Sequence, residues 1–393
     1  MIAAEPRARV SEQGQRVIGA ADWVAPAQRQ TGCVESWSWG AQGIGWQLSI
    51  RYIGSKSRVA ETIVSMIGSP NPGQRFVDGF CGTGAVSAAA LDLGWRDFVV
   101  NDSLLSAGII ASARLTSERH APFSGVGGYR AVLAHLNSVE GAPGFIASSY
   151  SPLSASSGEG ERRYFTEDNA SRIDSVRAEI GRLAEEGLIT EVESRLLIAD
   201  LLLATNAVAN TAGTYGCFLR EWSPVALKPL TLKPRELQAA DTTVEVLIGD
   251  IADLETRETD VVYLDPPYTK RQYAAYYHVL ETVAHGDSPE VGGVTGLRPW
   301  QSKASDFCYS RRAQDAVLHL LVGLDAGNVY MSYSSDGFVD LERLVESLEA
   351  KGEPAVLYPV GEIGRYRPNE IAGRQQAVAE WLLVMDRAAR WAQ

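Results

Sequence analysis

Residues 75–102, RFVDGFCGTGAVSAAALDLGWRDFVVND, carry the clearest secondary-structure pattern in the chain. The apolar start of this stretch, Phe76 and Val77, predicts a buried strand, and the glycines that follow predict a tight turn. Residues 85–93 then predict a helix, and residues 98–100 predict a second strand. A strand, turn, helix and strand in this order form half of a nucleotide-binding unit in α/β proteins.

The glycine-rich turn suits a ligand at the carboxyl end of the predicted sheet. Gly79, Gly82 and Gly84 let the backbone approach a bound group closely, but their spacing differs from the dinucleotide pattern G-x-G-x-x-G. Asp102 ends the next strand, where its carboxylate can accept hydrogen bonds from both ribose hydroxyls. With Asp78 before the turn, the pattern predicts a nucleoside ligand without a pyrophosphate, which favours S-adenosylmethionine over NAD.

Strand-like runs return in the second half of the chain as TVEVLIGDI, DVVYLDPPY, NVYMSYSSDG and EWLLVMD. Between the two sets, residues 116–240 break the alternation with a Ser/Gly-rich segment and two long helical patterns. We therefore expect an α/β fold with a Rossmann-like sheet, split into a cofactor-binding half (49–115) and a catalytic half (241–393). Residues 116–240 are predicted to be an inserted, mainly helical recognition region, and residues 1–48 an extension of uncertain order.

The run VVYLDPPY ends its strand with two prolines. Proline donates no hydrogen bond to a sheet and fixes its own φ, so Pro266 and Pro267 stop strand pairing and stiffen the segment. The Asp265 side chain and the Pro266 carbonyl become two acceptors on a rigid mount. Such a pair can bind both hydrogens of an exocyclic amino group and direct the nitrogen lone pair at an electrophilic methyl, while Tyr268 offers a face for stacking a base.

Composition places the chain among ordinary globular proteins. It has 393 residues, 45% hydrophobic and 21% charged, and no apolar run approaches the roughly 20 residues of a membrane span. The start lacks a secretory pattern, so we expect a cytoplasmic protein without a membrane partner. The cysteines are scattered without paired spacing, which predicts neither a disulfide framework nor a metal site; they are Cys33, Cys81, Cys217 and Cys308.

Charge alone gives little support for a nucleic-acid partner, because the net charge is -12 and phosphate neutralisation needs Lys and Arg. Local distribution matters more. Basic residues gather at ERRYF, ALKPLTLKPRE, TKRQY, YSRR and GRYRP, several of them interleaved with aromatic residues. This pattern suits a groove that follows a phosphate backbone and stacks bases, although each cluster by itself also fits a solvated surface.

The motifs resemble one enzyme family. YIGSK, FVDGFCGTG, VVND, IGD and DPPY occur in the order seen in Dam-like, alpha-group DNA adenine methyltransferases. The segments DPPYTKRQYAAYYHVLET, GVTGLRP and SDFCY are similar to the adenine methyltransferases of restriction-modification systems. The resemblance covers residues 50–385 and implies a class I S-adenosylmethionine-dependent methyltransferase fold that needs no metal.

Carried over by position, the resemblance implies two groups of site residues. The catalytic pocket would contain Asp265, Pro266, Pro267 and Tyr268. Cofactor binding would fall to Tyr52, Lys56, Asp78, Phe80, Gly82, Gly84, Asp102 and Asp250. Lys56 could instead be a solvated helix residue, Asp250 could merely cap the turn after its strand, and His278, without a visible acid or metal partner, favours a packing role.

The expected activity is methyl transfer from S-adenosylmethionine to the N6 amino group of a flipped adenine in a specific duplex DNA sequence. The resemblance also implies a cognate restriction endonuclease as a partner. Alternatives are an N4-cytosine DNA methyltransferase, an RNA adenine methyltransferase, and a silent DNA-binding module with the same fold. Candidate DNA contacts are Arg162, Arg163, Lys228, Lys233, Arg271 and Arg298. The sequence does not fix the recognition sequence or the oligomeric state.

Overall fold

The computed structural model describes residues 56–158, 160–363 and 378–387, in which seven strands form one sheet. The strands are β1 (Phe76–Asp78), β2 (Asp97–Asp102), β3 (Thr243–Ile248), β4 (Val261–Leu264), β5 (Asn328–Ser334), β6 (Val356–Ile363) and β7 (Val378–Asp386). Their order across the sheet is β3-β2-β1-β4-β5-β7-β6. The predictions for Tyr52 and for residues 1–48 lie outside the described residues.

Five neighbouring strands, from β3 to β5, run parallel. From β1 the chain first builds outward through β2 and β3, and it then returns to place β4 on the other side of β1. In open α/β sheets, ligands bind at the carboxyl ends of the strands where the order reverses in this way. The ends of β1, β2 and β4 are therefore the expected position of a ligand crevice.

The last two strands form an antiparallel hairpin whose second strand enters the sheet between β5 and β6. Because β7 runs opposite to β5, the start of β7 lies beside the carboxyl end of β5, where Ser334 pairs with Glu380. Strand β6 was not predicted from the sequence. Pro359 and Gly361 interrupt its apolar run and mark an irregular register, which a strand at the edge of a sheet tolerates.

Eleven helices accompany the sheet within the described ranges. They are α1 (Ala60–Ile67), α2 (Ala85–Asp92), α3 (Leu105–Leu115), α4 (Tyr129–Ser138), α5 (Phe145–Tyr150), α6 (Glu167–Glu185), α7 (Glu191–Ala207), α8 (Tyr273–Tyr276), α9 (His278–His285), α10 (Ala313–Gly323) and α11 (Leu341–Glu349). Helices α1 and α2 pack on one face of the sheet, and α10 and α11 pack on the other. Successive strand residues alternate between the faces, so Phe76 meets one helix layer and Val77 the other.

The region between β2 and β3 contains the two long helices predicted there. Each begins with a capping threonine: Thr166 accepts the backbone N–H of Asn169 at α6, and Thr190 forms a reciprocal capping box with Glu193 at α7. The apolar side chains of α4 to α7 share one core with α3 and α9. The α/β class is confirmed, and the helical nature of this region agrees with the predicted insertion, whose boundaries at 116 and 240 stay a prediction.

None of the described helices combines the length and the apolar character that crossing a lipid bilayer requires.

Candidate active site

A cavity of about 810 Å³ opens at the carboxyl ends of β1, β2 and β4. It is lined by ten of the residues predicted from the sequence, namely Lys56, Asp78, Phe80, Gly82, Asp102, Asp250, Asp265, Pro266, Pro267 and Tyr268. These residues come from segments far apart in the chain, and the topological switch at β1 brings them together. Their common location is a finding, whereas the role of each residue stays a prediction.

The loop after β1 is fastened to the end of β2 by hydrogen bonds. Gly82 donates its backbone N–H to Asp102 Oδ2 at 3.0 Å, and Leu104 donates to Asp102 Oδ1 at 2.9 Å. The side chain of Asn101 donates to the carbonyl of Gly79 at 3.0 Å. The loop therefore has a fixed shape, and Asp102 keeps lone pairs for a ligand.

Two of the glycines allow close packing. A Cβ at Gly79 would lie 2.7 Å from Leu264 Cδ2 and 2.8 Å from Ile251 Cδ1. Gly84 has a φ of 71° and begins α2, and a Cβ there would lie 2.7 Å from the Cα of Ala111. Gly84 does not line the cavity, so the structure supports a role in joining α2 to α3, and a direct contact with cofactor stays a prediction.

Asp78 is a buried carboxylate with one unsatisfied oxygen. Ser87 donates its hydroxyl to Asp78 Oδ2 at 2.6 Å, while Oδ1 has no hydrogen-bond partner among the described residues. Burial raises the pKa of Asp78 to about 7 against the effect of the Ser87 hydrogen bond, and the carboxylates of Asp265 and Asp102 add to the rise. Burial likewise raises the pKa of Asp102 to about 6, although the N–H groups of Leu104 and Gly82 oppose it. A cationic ligand group beside these carboxylates would offset the free-energy cost of burying their negative charges.

Asp265 follows the end of β4 and is held by Lys56. The Nζ of Lys56 lies 3.0 Å from Asp265 Oδ1, 2.8 Å from Glu380 Oε1 and 5.2 Å from the centroid of the Tyr268 ring. Lys56 is buried, so its alternative as a solvated helix residue is wrong. Burial lowers the pKa of Lys56, but Asp265 and Glu380 more than offset this effect and the net shift is upward.

The charge of Asp265 depends on these neighbours. Burial raises the pKa of Asp265 to about 6, Lys56 opposes the rise, and Glu380 adds to it. The ring of Tyr268 packs edge-on against Tyr333, with 6.0 Å between ring centroids. The Asp-Pro-Pro-Tyr segment is thus anchored at both ends, which limits the directions in which its acceptors can point.

Several residues of the cavity wall were not predicted. Phe307 packs edge-on against Phe80 at 5.4 Å, and the Gln272 side chain exchanges hydrogen bonds with the backbone of Ser305. Lys303 lies 2.8 Å from Glu281 Oε1 and donates to the Ser103 carbonyl. Glu380, which lies outside the cavity wall, was also not predicted. It could have been suspected as an acid inside the apolar run VAEWLLVMD, but nothing in the sequence pairs it with Lys56.

The structure bears on the alternative roles considered for Asp250 and His278. Asp250 accepts the N–H of Ala252 at 3.0 Å and also lines the cavity, so capping does not exclude ligand contact. His278 is fully buried, and its Nε2 lies 3.0 Å from the carbonyl of Tyr215. Burial lowers the pKa of His278 to about 4, in agreement with a neutral packing histidine.

The predicted DNA contacts differ in exposure. Arg162 is 2% exposed, and its guanidinium donates to the carbonyls of Ser149, Gly293 and Val294. The prediction that Arg162 contacts DNA is therefore wrong, because the side chain ties two segments of the protein together. The guanidinium of Arg298 is mostly buried beside Asp287. The remaining candidates stay predictions; Lys228, Lys233 and Arg271 are exposed, and Arg163 pairs with Glu161 at the surface.

Comparison with known proteins gives several relatives. The type II methyltransferase M.FokI of Planomicrobium okeanokoites is 33% identical over 325 residues, covering 78% of this chain and 47% of that protein. The modification methylase LlaI of Lactococcus lactis subsp. lactis is 33% identical over 315 residues, covering 76% and 48%. The type II methyltransferase M.NlaIII of Neisseria lactamica is 30% identical over 318 residues, covering 77% and 89%. The chain spans about half the length of the first two relatives.

A family model described as D12 class N6 adenine-specific DNA methyltransferase matches residues 52–335. The matched range begins just before Lys56 and ends just after β5, so it includes the glycine-rich loop, the inserted helices and the Asp-Pro-Pro-Tyr segment. Because this range is well over half of the sequence, the chain belongs to the D12 class N6 adenine-specific DNA methyltransferase family.

Proposed function

We propose that this protein transfers a methyl group from S-adenosylmethionine to the N6 amino group of an adenine in a specific duplex DNA sequence. The observation that carries the proposal is the position of Asp265. This carboxylate lies on a proline-stiffened end of β4, and it lines the same cavity as the glycine-rich loop and Asp102. Family membership supports adenine as the target in preference to cytosine.

The residues of the cavity fit S-adenosylmethionine as the donor. Its ammonium and sulfonium charges suit a cavity lined by Asp78, Asp102 and Asp265, and the free Oδ1 of Asp78 supplies a buried acceptor. Asp102 lines the same cavity and would accept hydrogen bonds from the ribose hydroxyls. Phe80 and Phe307 offer apolar faces to a ring, and Asp250 supplies an acceptor in the same cavity. When bound, this donor supplies an electrophilic methyl group on a positively charged sulfur.

The acceptor base is recognised by the Asp-Pro-Pro-Tyr segment. Flipping a base out of the duplex costs on the order of a few kcal/mol, and stacking on an aromatic ring such as Tyr268 returns about 1–3 kcal/mol. Asp265 and the Pro266 carbonyl accept the two amino hydrogens and hold the nitrogen in line with the methyl group. No base needs to remove a proton first, because orientation and electrostatic stabilisation supply much of the rate. As the new N–C bond forms, the S–C bond of the donor would break, S-adenosylhomocysteine would leave, and the surplus proton on the amino nitrogen would pass to solvent.

Residues 116–240 are the proposed target-recognition region. They follow α3 in the chain and share a hydrophobic core with α3 and α9. Helix α9 comes shortly after the Asp-Pro-Pro-Tyr segment in the chain. Exposed Lys228 and Lys233 lie in the irregular segment that leaves this region. Long basic side chains in such a position can contact phosphates or guanine edges.

The physiological role that we propose is modification of DNA in a restriction-modification system. The relatives are named as modification methylases and type II methyltransferases. Methylated sites would then be protected from a cognate endonuclease. This role requires the same recognition sequence in both proteins, so it is tested by asking whether methylated DNA resists such a nuclease.

The reaction is tested with purified protein, S-adenosylmethionine carrying an isotope-labelled methyl group, and duplex DNA of mixed sequence. Nucleoside analysis by mass spectrometry should find label in N6-methyladenine and none in N4-methylcytosine, and Asp265→Ala should give no product. Label in cytosine, or in RNA alone, would overturn the assignment of the target. Absence of any product from a protein that binds the donor would overturn the assigned reaction.

A further inference from the structure

The direction of β7 brings Glu380 to Lys56, the lysine that also contacts Asp265, the proposed catalytic carboxylate. Glu380 lies near the start of β7, which runs antiparallel to β5, and it pairs there with Ser334 at the carboxyl edge of the sheet. The side chain is 2% exposed, and its Oε1 lies 2.8 Å from Lys56 Nζ. Buried acids are rare in strands unless they are paired, and in this case the partner is already shared with Asp265.

The three groups form a chain of charges: Asp265, Lys56 and Glu380. Two carboxylates and one ammonium leave a net charge of one negative unit when all are ionised. Without Glu380, Lys56 and Asp265 would form a neutral pair. A target base that took the place of the Lys56 ammonium beside Asp265 would then leave that ammonium buried without a partner. Burying an unpaired charge is strongly unfavourable. With Glu380 present, Lys56 keeps a carboxylate at hydrogen-bond distance while Asp265 changes partner.

We propose that Glu380 is a positioning residue that retains Lys56 so that Asp265 can exchange its ammonium partner for the amino group of the target base. This inference rests on the proposed function, because it concerns the same carboxylate. Glu380 does not line the cavity, so it acts through Lys56. The position of the Lys56 ammonium over the Tyr268 ring also links this exchange to the surface on which the base stacks.

Other groups face Asp265 from the surrounding elements. Asp78 approaches from β1, Tyr263 from β4 and Tyr273 from α8, and each interacts electrostatically with Asp265. None of these three side chains carries a positive charge. The Lys56 ammonium lowers the pKa of Asp265, and the Glu380 carboxylate raises it. Removing the Glu380 charge should therefore lower the pKa of Asp265, and removing the Lys56 charge should raise it.

The first test is independent of turnover. The side-chain carboxyl carbon of Asp265 is followed by NMR against pH in Asp-labelled protein without ligands, and Asp265→Asn assigns the resonance. Glu380→Gln should move the titration to lower pH. Glu353→Gln is the matched control, because Glu353 is also buried and paired, with Arg387 at 2.8 Å, and it should leave the titration unchanged. An unchanged titration in Glu380→Gln overturns the proposal.

The second test measures methylation kinetics on an unmethylated DNA duplex that contains the sequence modified by the wild-type protein. Glu380→Gln should lower kcat by about tenfold, with the KM for DNA and the Kd for S-adenosylmethionine within about twofold. Adding Glu380→Gln to Lys56→Met should cause no further loss, because Glu380 acts through Lys56. Additive losses, or a loss of cofactor affinity alone, would contradict the role. If the wild-type protein methylates no DNA, the proposed function fails, and the NMR titration still reports whether the three charges are coupled.

Discussion

Asp102 accepts a 3.0 Å hydrogen bond from the backbone N–H of Gly82, so the end of β2 fixes the loop that follows β1. The same carboxylate also accepts the N–H of Leu104. Both contacts are made by the protein's own backbone and side-chain groups, which hold the loop in one shape. A preorganised loop lowers the entropic cost of binding a nucleoside, because less of the protein must be ordered at that moment.

The role of Asp265 predicts a separation between binding and turnover. Asp265→Ala should lower kcat by roughly 100-fold or more, since it removes one of the two acceptors that orient the amino group. The Kd for S-adenosylmethionine should change by less than about threefold. Calorimetric binding and a methyl-transfer assay on the same sample measure both quantities. Full activity in this variant would remove Asp265 from the reaction.

The ionisation of Asp265 predicts the acid side of the pH profile. Burial raises the pKa of Asp265 to about 6, and the protonated carboxyl is a poorer acceptor for the amino hydrogens. The kcat should therefore be constant above pH 7 and decrease as the pH falls through about 6. The decrease is measured under saturating DNA and donor, with the fold checked by circular dichroism at each pH. A constant kcat between pH 7 and pH 5 would contradict the assignment.

The buried carboxylate of Asp78 is expected to lower the stability of the fold and to strengthen binding of the cationic donor. Its pKa is about 7 in the folded protein and near 3.9 when unfolded, so ionising it destabilises the fold as the pH rises between these values. Asp78→Asn should raise the free energy of unfolding at pH 8 by roughly 1–3 kcal/mol in the absence of ligand. The gain should vanish below about pH 3, where the wild-type carboxyl is protonated in both states.

The readout for Asp78→Asn is chemical denaturation at several pH values, combined with donor binding at pH 8. The neutral side chain should weaken binding of the cationic donor while it stabilises the empty protein. A variant that is less stable than wild type at pH 8 would show that ionised Asp78 is not a burden to the fold.

Alanine substitutions at Gly84 and Gly187 compare the stability cost of a left-handed φ alone with the added cost of a steric clash. Both have left-handed φ values, 71° and 69°, but a Cβ at Gly84 meets the backbone of Ala111 while the space around Gly187 is open. Gly187→Ala should cost about 1–2 kcal/mol of stability from φ alone. Gly84→Ala should cost about 1–3 kcal/mol more, because α2 and α3 must move apart. Equal losses in denaturation would show that the packing between these helices is loose.

The arginine pair at 162 and 163 illustrates what sequence alone cannot decide. Adjacent basic residues point in different directions, and in this protein Arg162 is buried while Arg163 is at the surface. Arg162→Met should cost about 2–4 kcal/mol of stability, since several carbonyls lose their donors. The salt dependence of DNA binding by the Arg162→Met variant should match that of the wild-type protein.

Lys233→Met is the matched comparison for Arg162→Met. This exposed side chain should affect stability by less than about 0.5 kcal/mol. If it contacts a phosphate, its removal should reduce the slope of log K against log salt by about 1. An unchanged slope would remove Lys233 from the DNA contacts.

Local pattern predicted much of the fold and of the cavity. The strand ends at Asp78 and Asp265 were visible because apolar runs stop there at glycine or proline. The strand β6 was missed, because Pro359 and Gly361 break its pattern. Glu380 and Lys56 lie near opposite ends of the described chain, and only the antiparallel direction of β7 brings them together. Contacts of this kind depend on sheet topology and not on any local signal.

Sequencing that detects modified bases would decide whether this chain methylates adenine in cells. The DNA would come from a methylation-deficient host that expresses the chain. The same host expressing Asp265→Ala is the control, with protein levels compared. We expect N6-methyladenine at one short recurrent sequence and its absence in the control. An unmodified genome in the presence of folded, donor-binding protein, or equal modification in both hosts, would contradict this expectation.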